Sequence, residues 1–84
     1  MNPKNLLRKL AQGSLHNVHF ADMKTLVEAF GFRLLRVAGS HHVFGHPSVV
    51  ELVNLQEVRG EAKPYQIRQF LRLAEKYNLS VEDS

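Results

Sequence analysis

His41 and His42 stand next to each other, directly after a Gly-Ser pair and directly before a short apolar run. Histidine is the side chain whose ordinary pKa lets it take or give a proton near neutral pH. A glycine and a serine favour a tight turn, so the pattern predicts a histidine pair where a strand leaves a turn. In a chain with a basic first half, this arrangement indicates acid–base chemistry on an anionic substrate.

The basic residues are concentrated in that first half. Of the eleven lysines and arginines six precede residue 37, against two of the eight acidic residues, and the formal net charge is +3. A basic half suggests an anionic partner such as RNA, DNA or an acidic protein. Mild basicity also serves solubility alone, and at this stage both interpretations stay open.

Length and composition limit the class of protein. With 84 residues and 44% hydrophobic content, we expect a single domain over 1–84, with a helical N-terminal extension over 1–20 and a core over 22–77. The chain has no cysteine, no apolar run of membrane-spanning length and no apolar segment of a signal peptide at its start. We therefore expect a cytoplasmic protein that makes no membrane contact and needs no cofactor.

Hydrophobic spacing and turn residues divide the chain into elements. The clearest helix is predicted to begin after Asp22 as its N-cap and to end at Gly31. Other helices open at Pro3 and Pro64. Strands are expected over 32–37, 41–46 and 49–55, and the charged segment 56–63 is expected to be a loop. The sequence predicts an α+β fold of order α-α-β-β-β-α, whose three-stranded antiparallel sheet carries helices on one face and leaves the other face open.

Strand alternation separates the two adjacent histidines. Residues one apart on a strand point to opposite faces, so His42 shares its face with Phe44, and His41 shares the other with Val43. If Phe44 enters the core, His41 projects from the open face, where a phosphodiester could reach it. A buried Val43 would reverse this assignment.

The residues from Phe30 to Phe44, with the dipeptide His46-Pro47 after them, resemble the HicA toxins of bacterial toxin–antitoxin pairs. The similarity extends over residues 22–75. HicA toxins are small mRNA interferases with a fold like the double-stranded-RNA-binding domain, and a HicB antitoxin neutralises them. The resemblance therefore implies a metal-independent endoribonuclease with mRNA and a HicB-like antitoxin as partners, and it places the catalytic histidine at His41.

RNA cleavage without a metal needs a base for the 2′-hydroxyl proton, an acid for the leaving 5′-oxygen and cations for the phosphorane charge. His41 is the first candidate for proton transfer and His42 the second, although His42 also suits a packing or turn-bonding role. Arg36 would support the scissile phosphate. Four cations, Arg36 among them, are predicted to contact the phosphates of the RNA backbone: Arg33, Arg36, Lys63 and Arg68.

A shared metal is not expected among the clustered histidines. His41 and His42 point to opposite faces, and His42 and His46 would lie about 13 Å apart along one strand. Zinc ligands must converge within about 2.0–2.1 Å of the ion. His46, directly before a proline, is expected to be a turn residue.

Two other functions remain open from the sequence. The segment 56–63 is nearly neutral, which would suit a non-catalytic RNA- or DNA-binding module of the same fold. Basic residues on the last helix could instead face an acidic antitoxin, which would suit a domain that only binds protein: Arg68, Arg72 and Lys76.

Overall fold

The computed structural model of the protein describes residues 1–82. Asp83 and Ser84, the end of the single domain expected over 1–84, lie outside the described residues. The described part of the chain forms three helices and four strands: α1 (Pro3–Ala11), α2 (Phe20–Ala29), β1 (Arg33–Ala38), β2 (His41–His46), β3 (Val49–Val58), β4 (Glu61–Ala62) and α3 (Pro64–Lys76). The strands make one antiparallel sheet of order β1-β2-β3-β4. The predicted α+β class and the antiparallel sheet are confirmed.

The prediction of three strands and a loop over 56–63 was wrong. β3 continues to Val58, and β4 returns after a two-residue turn in which Arg59 and Gly60 both have positive φ, 53° and 79°. Such a turn matches the twist of a hairpin. The charges that suggested a loop lie instead on an exposed hairpin at the side of the sheet, where they remain solvated.

Residues 18–20 run beside β4 and cover its outer edge. The amide of Phe20 donates to the Gly60 carbonyl at 2.8 Å, and the amide of Ala62 donates to the Val18 carbonyl at 2.9 Å. This pairing joins the chain before α2 to the sheet. The backbone of β4 is therefore hydrogen-bonded on both sides.

Helix α2 begins earlier than predicted and ends as predicted. Its N-cap is His19 rather than Asp22, which lies in the first turn, where a carboxylate is favoured by the helix dipole. At the other end Gly31 has φ of 95°, its amide donates to Glu28, and the next amide, of Phe32, donates to Val27. These two bonds are those of a Schellman ending.

The core lies between the sheet and the helices. All three helices contribute buried side chains, among them Leu10 of α1, Met23 of α2 and Phe70 of α3, and the sheet contributes Phe44 and others from one face only. The N-terminal helix is part of this cluster, since Leu10 is 2% exposed. Within residues 1–82 no helix covers the opposite face of the sheet, which leaves that face open to a ligand.

An ion pair and a hydrogen bond, both to the Glu51 carboxylate, connect the end of α3 to β3. The Glu51 carboxylate accepts from Lys76 Nζ at 2.8 Å and from the Tyr77 hydroxyl at 2.5 Å. These bonds, the one from Lys76 first, lower the pKa of Glu51 from 4.5 to about 2. The pKa values of Lys76 and Tyr77 are raised, chiefly by their bonds to the same carboxylate.

We expect Glu51→Gln to lower the melting temperature at pH 7, because the uncharged amide loses the ion pair with Lys76. A carboxylate whose folded pKa lies below its unfolded value stabilises the fold above pH 4.5 and loses that contribution as pH falls towards 2. Thermal melts of both proteins between pH 7 and pH 2.5 measure the effect. The two melting temperatures should converge at acid pH, and a constant gap would contradict this account.

Candidate active site

The β1–β2 hairpin presents His41 at the edge of the open face. Gly39, with φ of 60°, and Ser40 form the turn, so His41 is the first residue of β2 and lies opposite Ala38. The ring is exposed, and its Nδ1 lies 3.4 Å from Asn54 Oδ1 on β3. When Nδ1 carries the proton and donates to this oxygen, Nε2 keeps its lone pair towards solvent and can accept a proton.

The alternation of β2 has the predicted sense. Phe44 is fully buried in the core, whereas His41 is exposed. Val43 is also buried, at 9% exposure, but it is not part of the core cluster. It lies on the open face between exposed residues of both neighbouring strands, Arg36 and Asn54. Its burial comes from its central strand and does not reverse the orientation of His41.

His42 and His46 belong to the opposite face and to a turn. The His42 ring packs against Phe20, with centroids 4.6 Å apart, and its Nδ1 lies 3.2 Å from the Ser40 carbonyl. The ring of His46 packs against Phe32, and its Nδ1 accepts from the amide of Ser48 at 3.0 Å. The structure thus brings neither ring to the surface that carries His41.

Two of the predicted cations share the face of His41. Arg36 is paired with Val43 across the β1–β2 ladder, and Arg33 is paired with Gly45, so both side chains leave the sheet on the open face. Arg36 is a diagonal neighbour of His41, at a spacing of about 7–8 Å. Both arginines are exposed, and within residues 1–82 neither forms an ion pair or hydrogen bond.

The other two predicted cations lie after β4, at the start of α3 and on its surface. Lys63 follows β4 as the N-cap of α3, with its Nζ 5.8 Å from the centre of the Tyr65 ring. Arg68 is exposed on α3. Neither of them contacts His41 in the described structure. Arg36 is therefore the predicted cation that the sheet places next to His41, whereas Arg33, opposite Gly45, lies four strand residues from it, about 13 Å away.

Asn54 and Gln66 are site residues that the sequence did not reveal. Asn54 is the diagonal neighbour of His41 on β3, and its polarity within an apolar strand, together with the strand alternation, could have indicated it. Gln66 of α3 is buried at 4% exposure, and its Oε1 accepts from the amide of Gln56 at 2.7 Å. Gln56 pairs directly with His41, so this bond connects the part of β3 beside the histidine to α3.

An apolar area lies on the same face around Gly45, four strand residues from His41, about 13 Å away. Leu35 lies at an irregularity in the β1–β2 register, and its side chain covers Gly45. A Cβ atom added to Gly45 would lie only 2.8 Å from Cδ1 of Leu35. Leu52 of β3 approaches the same point from the other side, 3.5 Å from that position. Leu35 and Leu52 are 59% and 55% exposed. The open face thus combines one histidine, two arginines and a small apolar platform.

A family model for the HicA toxin of bacterial toxin–antitoxin systems matches residues 20–75. This chain belongs to the HicA toxin family. The match begins at the first residue of α2 and ends within α3, so it includes the whole sheet and every candidate site residue. The predicted resemblance to the HicA toxins is thus confirmed. Membership of this family implies an antitoxin partner.

No curated protein and no solved structure matches the HicA-family chain. Its likeness to the double-stranded-RNA-binding domain stays a prediction. So do the division into an extension over 1–20 and a core over 22–77, and the roles of the individual site residues. No helix among residues 1–82 is both long enough and apolar enough to span a membrane.

Proposed function

We propose that this HicA-family toxin is an endoribonuclease that cleaves mRNA without a metal ion, in the cytoplasm, with His41 as its general base. The observation that supports this proposal is the exposed His41 ring, whose Nδ1 lies against Asn54 and which has Arg36 as a diagonal neighbour on the same face. The open face also gives an RNA strand room to lie across the histidine.

The proposed reaction uses the 2′-hydroxyl of the RNA as nucleophile. Nε2 of His41 takes the hydroxyl proton while the 2′-oxygen forms a bond to phosphorus, and the bond from phosphorus to the 5′-oxygen breaks. Water on the open face gives the leaving 5′-oxygen its proton. The products are a 2′,3′-cyclic phosphate and a free 5′-hydroxyl.

The guanidinium of Arg36 stabilises the negative charge that develops on the phosphoryl oxygens, because it lies on the same face one diagonal step from His41. Arg33 contacts the phosphate further along the same strand. Lys63 and Arg68 hold RNA that extends past β4 and α3. Contacts of this kind position the backbone without reading its sequence.

The antitoxin in this proposal is HicB-like and inhibits the toxin by covering the open face. An inhibitor seated on Leu35 and Leu52 would bury apolar surface and would exclude RNA from His41 at the same time. Inhibition by steric exclusion requires no change in the fold of the toxin.

The decisive experiment incubates the purified protein with a defined RNA in excess chelator. We expect fragments with 2′,3′-cyclic phosphate ends, and no cleavage of the DNA strand of the same sequence, because DNA lacks the nucleophile. RNA that stays intact, or fragments whose formation depends on added metal, would contradict the proposal.

Asn54→Ala tests the orientation of the histidine. Without the oxygen that faces Nδ1, the ring samples other rotamers and tautomers, so we expect kcat to fall roughly tenfold, less than the about 10²- to 10⁴-fold of losing the base itself, with little change in KM. Asn54→Asp keeps an acceptor oxygen and should restore kcat, with a raised KM because of its negative charge. If Asn54 only stabilised the fold, its replacement would change the melting temperature, and Asn54→Ala and Asn54→Asp would have nearly the same kcat.

A non-catalytic RNA-binding module is the second candidate function. The β3–β4 hairpin favours it, since Glu57 and Glu61 balance Arg59 and Lys63 there. Such a module would bind RNA with an affinity that decreases as salt rises, and would leave the RNA uncut. The chelator experiment separates the two functions directly.

A further inference from the structure

The outer edge of β1 is the unpaired edge of the sheet. β1 pairs with β2 on one side, and among residues 1–82 no backbone hydrogen bond joins its other side. All six residues of the strand are exposed. At the opposite side of the sheet, residues 18–20 cover β4. An uncovered strand of this length is a template for pairing with another chain.

The register indicates which backbone groups of β1 face outward. The amide of Glu57 donates to the Ser40 carbonyl, and bonded and non-bonded pairs alternate along an antiparallel ladder. His42, two residues after Ser40, therefore bonds to Leu55 of β3. Val37 faces His42 from the other side. Its own N–H and C=O must then point away from β2, towards the open edge.

The side chains along this edge are apolar where they are not basic. Leu34, Leu35 and Val37 are 38%, 59% and 52% exposed, so each leaves apolar surface that a partner could bury. Arg33 precedes Leu34, and Arg36 stands between Leu35 and Val37; neither arginine has an ion pair within residues 1–82. The edge thus offers hydrogen bonds, apolar surface and two uncompensated positive charges.

These charges decide between two possible occupants. Two copies of this chain joined antiparallel through β1 would place Arg33 and Arg36 of both copies on the same face of adjacent strands, where like charges repel. A partner strand with acidic side chains at those positions would form cross-strand ion pairs instead. Charge therefore favours a foreign acidic strand over a second copy.

We propose that the β1 edge is a strand-addition site for the antitoxin, whose edge strand pairs with β1 and presents acidic side chains to Arg33 and Arg36 and apolar ones to Leu35 and Val37. This proposal rests on the proposed function, because it takes the antitoxin as the partner. In strand addition, hydrogen bonds between the main chains of β1 and the antitoxin strand supply affinity, and alternate side chains supply specificity. Strand addition at this edge would bring the partner to the side of the open face that carries Arg36.

The test uses this 84-residue chain and the purified product of the open reading frame adjacent to its gene. Val37→Pro removes the outward N–H and leaves the ladder to β2 intact, as proline does on an edge strand. We expect its dissociation constant for the antitoxin to rise tenfold or more, as roughly expected for one lost buried hydrogen bond. Val37→Thr keeps the N–H and the branched shape, and should bind within about twofold of the native protein. Arg33→Glu should slow association roughly tenfold at low salt.

Hydrogen exchange on the same complex gives an independent measurement. The Val37 amide should exchange rapidly in the free toxin and become protected when the antitoxin binds. Equal binding by Val37→Pro and the native protein, protection confined to other strands, or the absence of any complex would each overturn the strand-addition proposal. A self-associated toxin whose contact is β1 would do so too.

The failure of this proposal and that of the ribonuclease proposal have different signatures. If Val37→Pro binds normally but the native chain still cleaves RNA through His41, strand addition alone is wrong. If binding depends on Val37 and the chain leaves RNA intact, the ribonuclease proposal alone is wrong.

Discussion

Replacing His41 with alanine should lower the rate of RNA cleavage by roughly 10²- to 10⁴-fold, the usual contribution of a general base. The ring is exposed on the open face, and its Nδ1 lies within hydrogen-bond distance of Asn54 Oδ1. Its removal therefore leaves no cavity and orphans no buried group. Cleavage of a fluorescent RNA in excess chelator, with thermal melts of both proteins, measures the effect: we expect the melting temperature to stay within a few degrees.

His16→Ala is the matched control, because His16 is also an exposed histidine and lies in the segment between α1 and α2. We expect it to cleave RNA at the native rate. Cleavage by His41→Ala within about twofold of the native rate would exclude the histidine as the base. Intact RNA with the native protein as well would favour the binding module.

Replacing Phe70 with alanine should have the largest effect on stability. Phe70 is 1% exposed and joins α3 to the rest of the core, with its ring edge-on to Phe30 and Phe32 at centroid distances of 5.1 and 5.7 Å. Truncation of a buried phenylalanine costs about 3–5 kcal/mol. Domains of this kind are stable by about 5–15 kcal/mol in total, so the variant should be largely unfolded well below the native melting temperature.

Denaturant unfolding followed by circular dichroism measures this loss. Arg72→Ala, an exposed change two residues further along the same helix, should stay within about 0.5 kcal/mol of the native protein. A Phe70→Ala variant that loses less than about 1 kcal/mol would mean that the core repacks around the missing ring. In that case the aromatic contacts of Phe70 would contribute little to the fold.

The helices and the orientation of β2 were predictable because their signals are local. Pro64 marks the first residue of α3, and Gly31 provides the positive φ at which α2 ends. Alternation put His41 and Phe44 on opposite faces of the sheet, and Phe44 is the one that enters the core. Each of these signals depends on a few neighbouring residues and on no distant contact.

The fourth strand was missed because its stability comes from distant parts of the chain. β4 has two residues, Glu61 and Ala62, too few to show a periodic pattern. It pairs with β3 on one side and with residues 18–20 on the other, and the latter pairing joins segments about forty residues apart. The start of α2 was misplaced for a related reason, since Phe20 is fixed by its bond to Gly60.

The candidate site was predictable in part. The sequence separated His41 from His42 and placed Arg36 near the turn. The oxygen of Asn54 beside the ring depends on the β2–β3 register, which a single sequence does not contain. Gln66 is a similar case, because a glutamine on a helix gives no sign that it will receive a strand amide.

The cover that residues 18–20 give to β4 has a consequence for assembly. A sheet with two open sides can add strands in both directions, and copies of it can stack without end into a fibre. With β4 covered and β1 unpaired within residues 1–82, this sheet can be extended in one direction only. The toxin sheet therefore accepts one added strand, at β1, and copies of it have no second open edge through which to extend a stack.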